Sequence, residues 1–279
     1  MISTLDSCIA KIDRAKEHCD ALGKYVDDTF AVEANRPRLG IRFDADTKDH
    51  IVFINYMPDL SVFLDRCSLI YGDAVNNLRV ALDRVAYQLA LLHTGGKIQA
   101  EAKIQFPICD TLESFNNFKT QRLKEISPVH IAIMERVQGY HTIDENVCLG
   151  MYFHPLVMLR ELVNIDKHRL PIKLVIPTSG MHLYHPLAEK ILSVAFMNQL
   201  GRDERGLYKI CPLQFPVAEL GAVVMRAKLS SGALETEVSM AGYVSAMVAI
   251  EGDRSAISSL NKMAAVIVKI LHEFEPSFQ

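Results

Sequence analysis

The segment LRELVNIDKHRL, residues 159-170, gathers Asn164, Asp166, Lys167, His168 and Arg169 within a helical pattern. A histidine, fixed cations and an amide, without a pair of free carboxylates, suit metal-independent cleavage of RNA. One group must remove the 2′-hydroxyl proton and another must protonate the departing 5′ oxygen. Cations must offset the charge that builds on phosphorus. His168, with an ordinary pKa of about 6.5, exchanges protons near neutrality. In that chemistry Arg79 and Lys167 hold the phosphate, and Asn164 orients it. The same groups also bind a small anion without turning it over.

Two helices have to position these residues. In YGDAVNNLRVALDRVAYQLALL, the residues Val75, Leu78, Leu82, Val85 and Leu89 recur on one apolar face. Asn76, Arg79, Asp83 and Tyr87 follow at three- and four-residue steps and line one edge of that face, where Arg79 and Asp83 can pair. Arg84 lies further round, toward solvent. In the later helix Leu156, Leu159, Leu162 and Val163 are apolar, while Arg160, Asn164 and His168 form a second polar stripe with Lys167 adjoining. If the helices pack together, the stripes meet in a pocket that holds Arg79, Asp83, Asn164, Lys167 and His168. Asn76, Arg84, Arg160, Asp166 and Arg169 are its further binding candidates.

A structural reading stands beside the chemical one. Lys167, His168 and Arg169 fall at a helix C-terminus, where cations oppose the macrodipole and bond the last carbonyls. Asp166 with Arg169, and Arg79 with Asp83, then serve as ion pairs at a surface or an edge.

Other motifs carry less. His182 and His185 in HLYH have a ligand-like spacing without a third ligand in a metal pattern nearby. Gly95-Gly96 reads as a helix stop, and no nucleophile motif such as G-x-S-x-G occurs. Six scattered cysteines form no C-x-x-C pair and read as reduced, packed thiols. No cofactor or metal site is expected.

The elements follow from periodicity. Residues 3-31 read as an amphipathic helix, with Leu5, Cys8, Ile9, Ile12, Ala15, Cys19, Leu22 and Val26 at helical spacing. LGIRFDADTKDHIVFINY reads as a hairpin over about 39-56. Helices are expected from about Pro58 to His93, Leu112 to Val137 with a break near Ser127-Pro128, Pro155 to His168, and Arg254 to Phe274. Thr111 opens a capping-box-like TLES. After Pro171, short β-branched and aromatic runs separated by turns predict strands. The expectation is an α+β protein: a helical bundle over 1-172 with an inserted hairpin, then 173-279 as an antiparallel sheet closed by the terminal helix.

Composition bounds the function classes. A net charge of −3 leaves no global basic field, so contact with nucleic acid has to use a local patch. No apolar run approaches the roughly 20 residues that span a bilayer, and the N-terminus lacks the basic and apolar regions of a signal peptide. A soluble, cytoplasmic protein without a membrane partner is expected.

The stretches GDAVNNLRVALDRVAYQLA and LRELVNIDKHR together resemble a group of uncharacterised bacterial proteins that share an N-L-R-x-A-L-D helix and a later N-x-D-K-H-R segment. The first motif, often extended to R-x4-H, is similar to the HEPN superfamily of helical-bundle proteins. That superfamily includes metal-independent RNases of toxin–antitoxin and phage-defence systems. The resemblance covers mainly residues 60-170. It implies a HEPN-like bundle, RNA or a nucleotide as ligand, a homodimer, and an antitoxin or defence partner protein. Arg79 matches the R of the motif, but Arg84 stands where the histidine belongs. Either His168 takes the proton-transfer role in an endoribonuclease, or the protein is a non-catalytic relative that binds a nucleotide, RNA or protein in the same pocket.

Overall fold

A computed structural model describes residues 4-47, 49-99, 103-141, 154-168, 172-176, 181-183, 191-195, 201-202, 208-209, 220-221, 223-229, 238-244, 249-250 and 255-279. It is an α+β protein with helices α1 (Asp6–Ala31), α2 (Ser61–Thr94), α3 (Leu112–Arg122), α4 (Pro128–Arg136), α5 (Pro155–His168) and α6 (Ala256–Phe274). The strands are β1 (Arg38–Asp44), β2 (Asp49–Tyr56), β3 (Leu174–Val175), β4 (Met181–Leu183), β5 (Ile191–Ala195), β6 (Gly201–Arg202), β7 (Tyr208–Lys209), β8 (Val223–Leu229), β9 (Val238–Val244) and β10 (Ala249–Ile250). No helix among the described residues is long and apolar enough to cross a membrane.

Two compact units form, and neither is continuous in sequence. The helical unit comprises residues 1-23, 68-172 and 256-279; the sheet unit comprises 24-67 and 173-255. Two expectations of the linear division are thereby corrected. The terminal helix α6 belongs to the helical unit rather than to the sheet. The hairpin is no insertion in the bundle: β1 and β2 sit in the middle of a six-stranded antiparallel sheet ordered β4-β9-β1-β2-β8-β5. Alone, the hairpin would leave a row of backbone N–H and C=O groups unpaired along each outer edge; β9 and β8 pair them, and both arrive only late in the chain.

In the helical unit the apolar faces are those the spacing predicts. Val75, Leu78, Leu82, Val85 and Leu89 are fully buried on α2, as are Leu159 on α5 and Ile267 on α6. Ile9 departs from expectation: it is 46% exposed while its neighbours Cys8 and Ile12 are buried, so it lies beyond the edge of the apolar stripe of α1. Lys11 Nζ on α1 donates to Asn77 Oδ1 on α2 (2.9 Å). Two turns further along α1, Cys19 Sγ lies 3.7 Å from Asn261 Oδ1 of α6.

Local signals set the helix ends. Thr111 and Ser114 form a reciprocal capping box on α3, and Ser127 caps α4 with Pro128 in the first turn. Gly95 and Gly96 both have positive φ, which stops α2 without the steric cost that other residues incur.

His130 on α4 bridges two hydroxyls, with Ser127 Oγ on Nδ1 and Ser277 Oγ on Nε2, both at 2.9 Å. Burial holds His130 and His154 below the ordinary histidine pKa of 6.5, and the nearby His93 adds to the effect at His130. Below about pH 6.5 the unfolded chain takes up protons that the folded chain resists, so this stability is present above that pH and is lost as the pH falls. The melting temperature should therefore decline from about pH 7.5 to pH 5.5. His154→Asn, which keeps an acceptor for the Leu156 N–H that His154 now caps, should flatten the decline; an unchanged profile would refute the assignment.

Candidate functional site

The connection between α2 and α3 accounts for Arg79 and Asp83 on α2 and for Arg160 on α5. Residues 106-109, FPIC, are all buried, so their peptide groups need partners other than water. Asp83 Oδ1 accepts the Phe106 N–H (3.0 Å), and Arg79 Nη2 donates to the Phe106 carbonyl (2.9 Å). Arg79 and Asp83 also pair with each other along α2, from Nε to Oδ2 at 3.1 Å and from Nη2 to Oδ1 at 2.7 Å. An i,i+4 ion pair thus takes the place of a neighbouring strand for the N–H and C=O of one buried residue. Gln138 continues the pattern, donating to the Pro107 carbonyl (3.0 Å) and accepting the Cys109 N–H (2.9 Å). Arg160 on α5 donates to the Ile108 carbonyl (3.2 Å) and pairs with Asp110 (2.9 Å).

Of the polar stripe of α2, Asn76 reaches α5, but its partner there is Asp166, which lies outside the expected stripe of Arg160, Asn164 and His168. Asn76 Nδ2 donates to Asp166 Oδ2 at 2.6 Å. Gly72, one turn earlier on α2, permits the approach: a Cβ there would stand 2.6 Å from Asp166 Oδ1. Asn76 and Asp166 are half-buried, while Asn164 and Lys167, two residues before and one after Asp166 on α5, are exposed. We call this place the α2–α5 corner.

The expected pocket therefore divides. Asn76 and Asp166 meet at the corner and Lys167 and Asn164 stay exposed on α5, whereas Arg79, Asp83 and Arg160 turn to the 106-110 connection. Arg84 is not on the solvent side as expected: it is half-buried and donates to the Ser7 carbonyl of α1 at 2.9 Å. It occupies the histidine position of the R-x4-H pattern as a tie between two helices. His168 ends α5, and its side chain lies outside the described residues, as do Arg169 and His185. His182 falls in β4, opposite Tyr243 of β9. Among the described residues no group of three or more His, Cys, Asp or Glu could hold a metal ion. Buried thiols make poor nucleophiles here, because burial pushes Cys8 up to about 11 and Cys67 up to about 12.

Sequence reasoning missed two features. The first is Gln138, whose three bonds inside the core no periodicity announces. The second is a hollow of about 570 Å³ at the C-terminal end of α2, lined by Lys97, Lys103, Arg122 and Lys124. Its only sequence signal is a local excess of bases over 97-124.

Removing Arg79 leaves Asp83 and the Phe106 carbonyl without their charged partner. The Arg79 side chain is only 12% exposed, so Arg79→Ala should lower unfolding stability by about 2-3 kcal/mol in denaturant titrations. Asn76→Ala, at the partly open corner, should cost about 1 kcal/mol. Equal and negligible effects would contradict the bracketing role of Arg79.

Comparison with protein-family models, curated proteins and solved structures finds no match to this chain, so its function has to be read from these side chains themselves.

Proposed function

We propose that the helical unit is a HEPN-like module that binds RNA at the α2–α5 corner without cleaving it. The observation that carries this reading is the engagement of Arg79. The N-L-R-x-A-L-D resemblance would assign that guanidinium to a phosphate, yet its Nε and Nη2 donors serve Asp83 and the Phe106 carbonyl. Moving it to a substrate would unpair a buried peptide. Arg84 is similarly engaged with the Ser7 carbonyl, which leaves neither residue of the R-x4-H positions for proton transfer or charge stabilisation.

The corner retains recognition groups. Asn164 offers an amide, Lys167 a mobile cation, and Asp166 an acceptor held in place by Asn76. Amide and carboxylate groups read the edges of unstacked bases, and a lysine adds a phosphate contact. With few cations at the corner, affinity would be modest and salt-dependent.

A second reading, docking of a partner protein of the antitoxin or defence kind or a second copy of the chain, has one observation in its favour. Leu69, Val80 and Ile165, on or next to the same helices, are 55%, 37% and 45% exposed. Apolar docking would change little with salt, which separates it from RNA binding.

The test compares wild type, His168→Ala and Asn164→Ala/Lys167→Ala on total RNA in EDTA, with retardation of a single-stranded RNA and thermal melts alongside. The expected result is no cleavage by any form, with retention of RNA by the wild type and binding about three- to tenfold weaker in the double variant at unchanged melting temperature. Cleavage by the wild type that His168→Ala abolishes, with matching melts, would overturn the proposal and establish a metal-independent endoribonuclease. Absence of RNA binding at low salt would also overturn it and leave the docking reading.

A further inference from the structure

The hollow at the end of α2 is separate from the corner and shares no residue with it. Its lining brings together Lys97 from the connection after α2, Lys103 from the start of the next segment, Arg122 from the last turn of α3, and Lys124 just beyond. Among the described residues none of the three lysines forms an ion pair. The acid among the described lining residues, Glu125, accepts the Gln99 N–H at 2.8 Å.

Helix ends alone do not account for this many cations. α2 and α3 both terminate here, and each contributes about half a negative charge from its unpaired carbonyls. Together with Glu125 they offset about two of the four cations, which leaves roughly two positive charges among the described lining residues.

The hollow is also built rather than merely lined. Gly96 N–H bonds the Leu91 carbonyl at 2.9 Å, and the Gln99 N–H is held by Glu125, so the loop that carries Lys97 is tied on both sides of it. Arg122 donates from Nη1 to Gln105 Oε1 at 2.7 Å, and its guanidinium carbon lies 5.5 Å from the centroid of the Phe118 ring. A guanidinium fixed in plane, with Nε and Nη2 not bonded to any described residue, presents the fork that matches two oxygens of one phosphate. Lysines around it supply point charges for further phosphates.

We propose that this hollow binds an oligophosphate group, as carried by a nucleoside di- or triphosphate. Its volume of about 570 Å³ is in the range of small-molecule sites, which leaves room for a nucleoside beside the phosphates. Ile104 offers an apolar surface there, and the Gln99 and Gln121 amides offer hydrogen bonds.

Calorimetric titration of the full chain with inorganic tripolyphosphate, ATP, GTP, AMP and inorganic phosphate tests the proposal, with wild type against Lys97→Gln/Lys103→Gln. Both lysines are exposed, so the double variant should melt like the wild type without ligand. Tripolyphosphate and the triphosphates should bind the wild type, AMP and phosphate at least tenfold more weakly, and the double variant should lose about tenfold or more in affinity for the triphosphates. Arg122→Lys, which keeps the charge but loses the fork, should weaken binding as well. No heat or melting shift at millimolar tripolyphosphate, or equal affinity in the double variant, would overturn the proposal. Tight binding of a short single-stranded RNA that the double variant abolishes, with no response to the triphosphates, would overturn the nucleotide assignment and identify the phosphates as those of a nucleic-acid backbone.

Discussion

The helical unit depends on giving partners to one buried stretch of backbone. The chain leaves α2, crosses the core as Phe106-Pro107-Ile108-Cys109, and cannot reach water there. An unsatisfied buried peptide group costs on the order of 1-3 kcal/mol, and this stretch presents several. Arg79 and Asp83 bracket Phe106, Gln138 serves Pro107 and Cys109, and Arg160 takes Ile108. Proline at 107 removes one donor that would otherwise need a partner. Side chains from α2, α5 and the turn after α4 thus do for this segment what a neighbouring strand does for a strand.

That constraint divides the labour along α2. Residues on the edge that faces the connection are committed to it, and Arg84 is committed to α1 through the Ser7 carbonyl. The two sites proposed here lie, among the described residues, where polar groups escape these duties. One is the corner, where Asn76 holds Asp166 over Gly72. The other is the cationic hollow past Thr94. Along the helix axis the two are separated by about 27 Å, at 1.5 Å per residue, so the two proposed sites are separate.

Both units draw on both long helices. α1 and α2 each begin in one unit and end in the other, and the sheet closes only when β8 and β9 flank the early hairpin. Neither unit can therefore be complete until the chain beyond residue 172 has been added. Contacts this distant in sequence carry a high loop-closure cost and favour slow, late sheet formation.

The sequence by itself determined the elements and their apolar faces. Val75, Leu78, Leu82, Val85 and Leu89 are buried because a helix of 3.6 residues per turn has no other way to cover that stripe, and Gly95-Gly96 ends it because glycine alone accepts positive φ cheaply. The Arg79–Asp83 pair was legible too, since i,i+4 partners face each other on any helix. Only the tertiary structure decided what that pair is for. Its partner, Phe106, lies 23 residues from Asp83, and no local pattern ties a buried peptide to a particular ion pair. The same holds for Asn76 and Asp166, 90 residues apart, and for the membership of α6 in the helical unit. Periodicity records which side of an element faces inward. What that side meets depends on how distant segments pack, and that is settled by the fold as a whole.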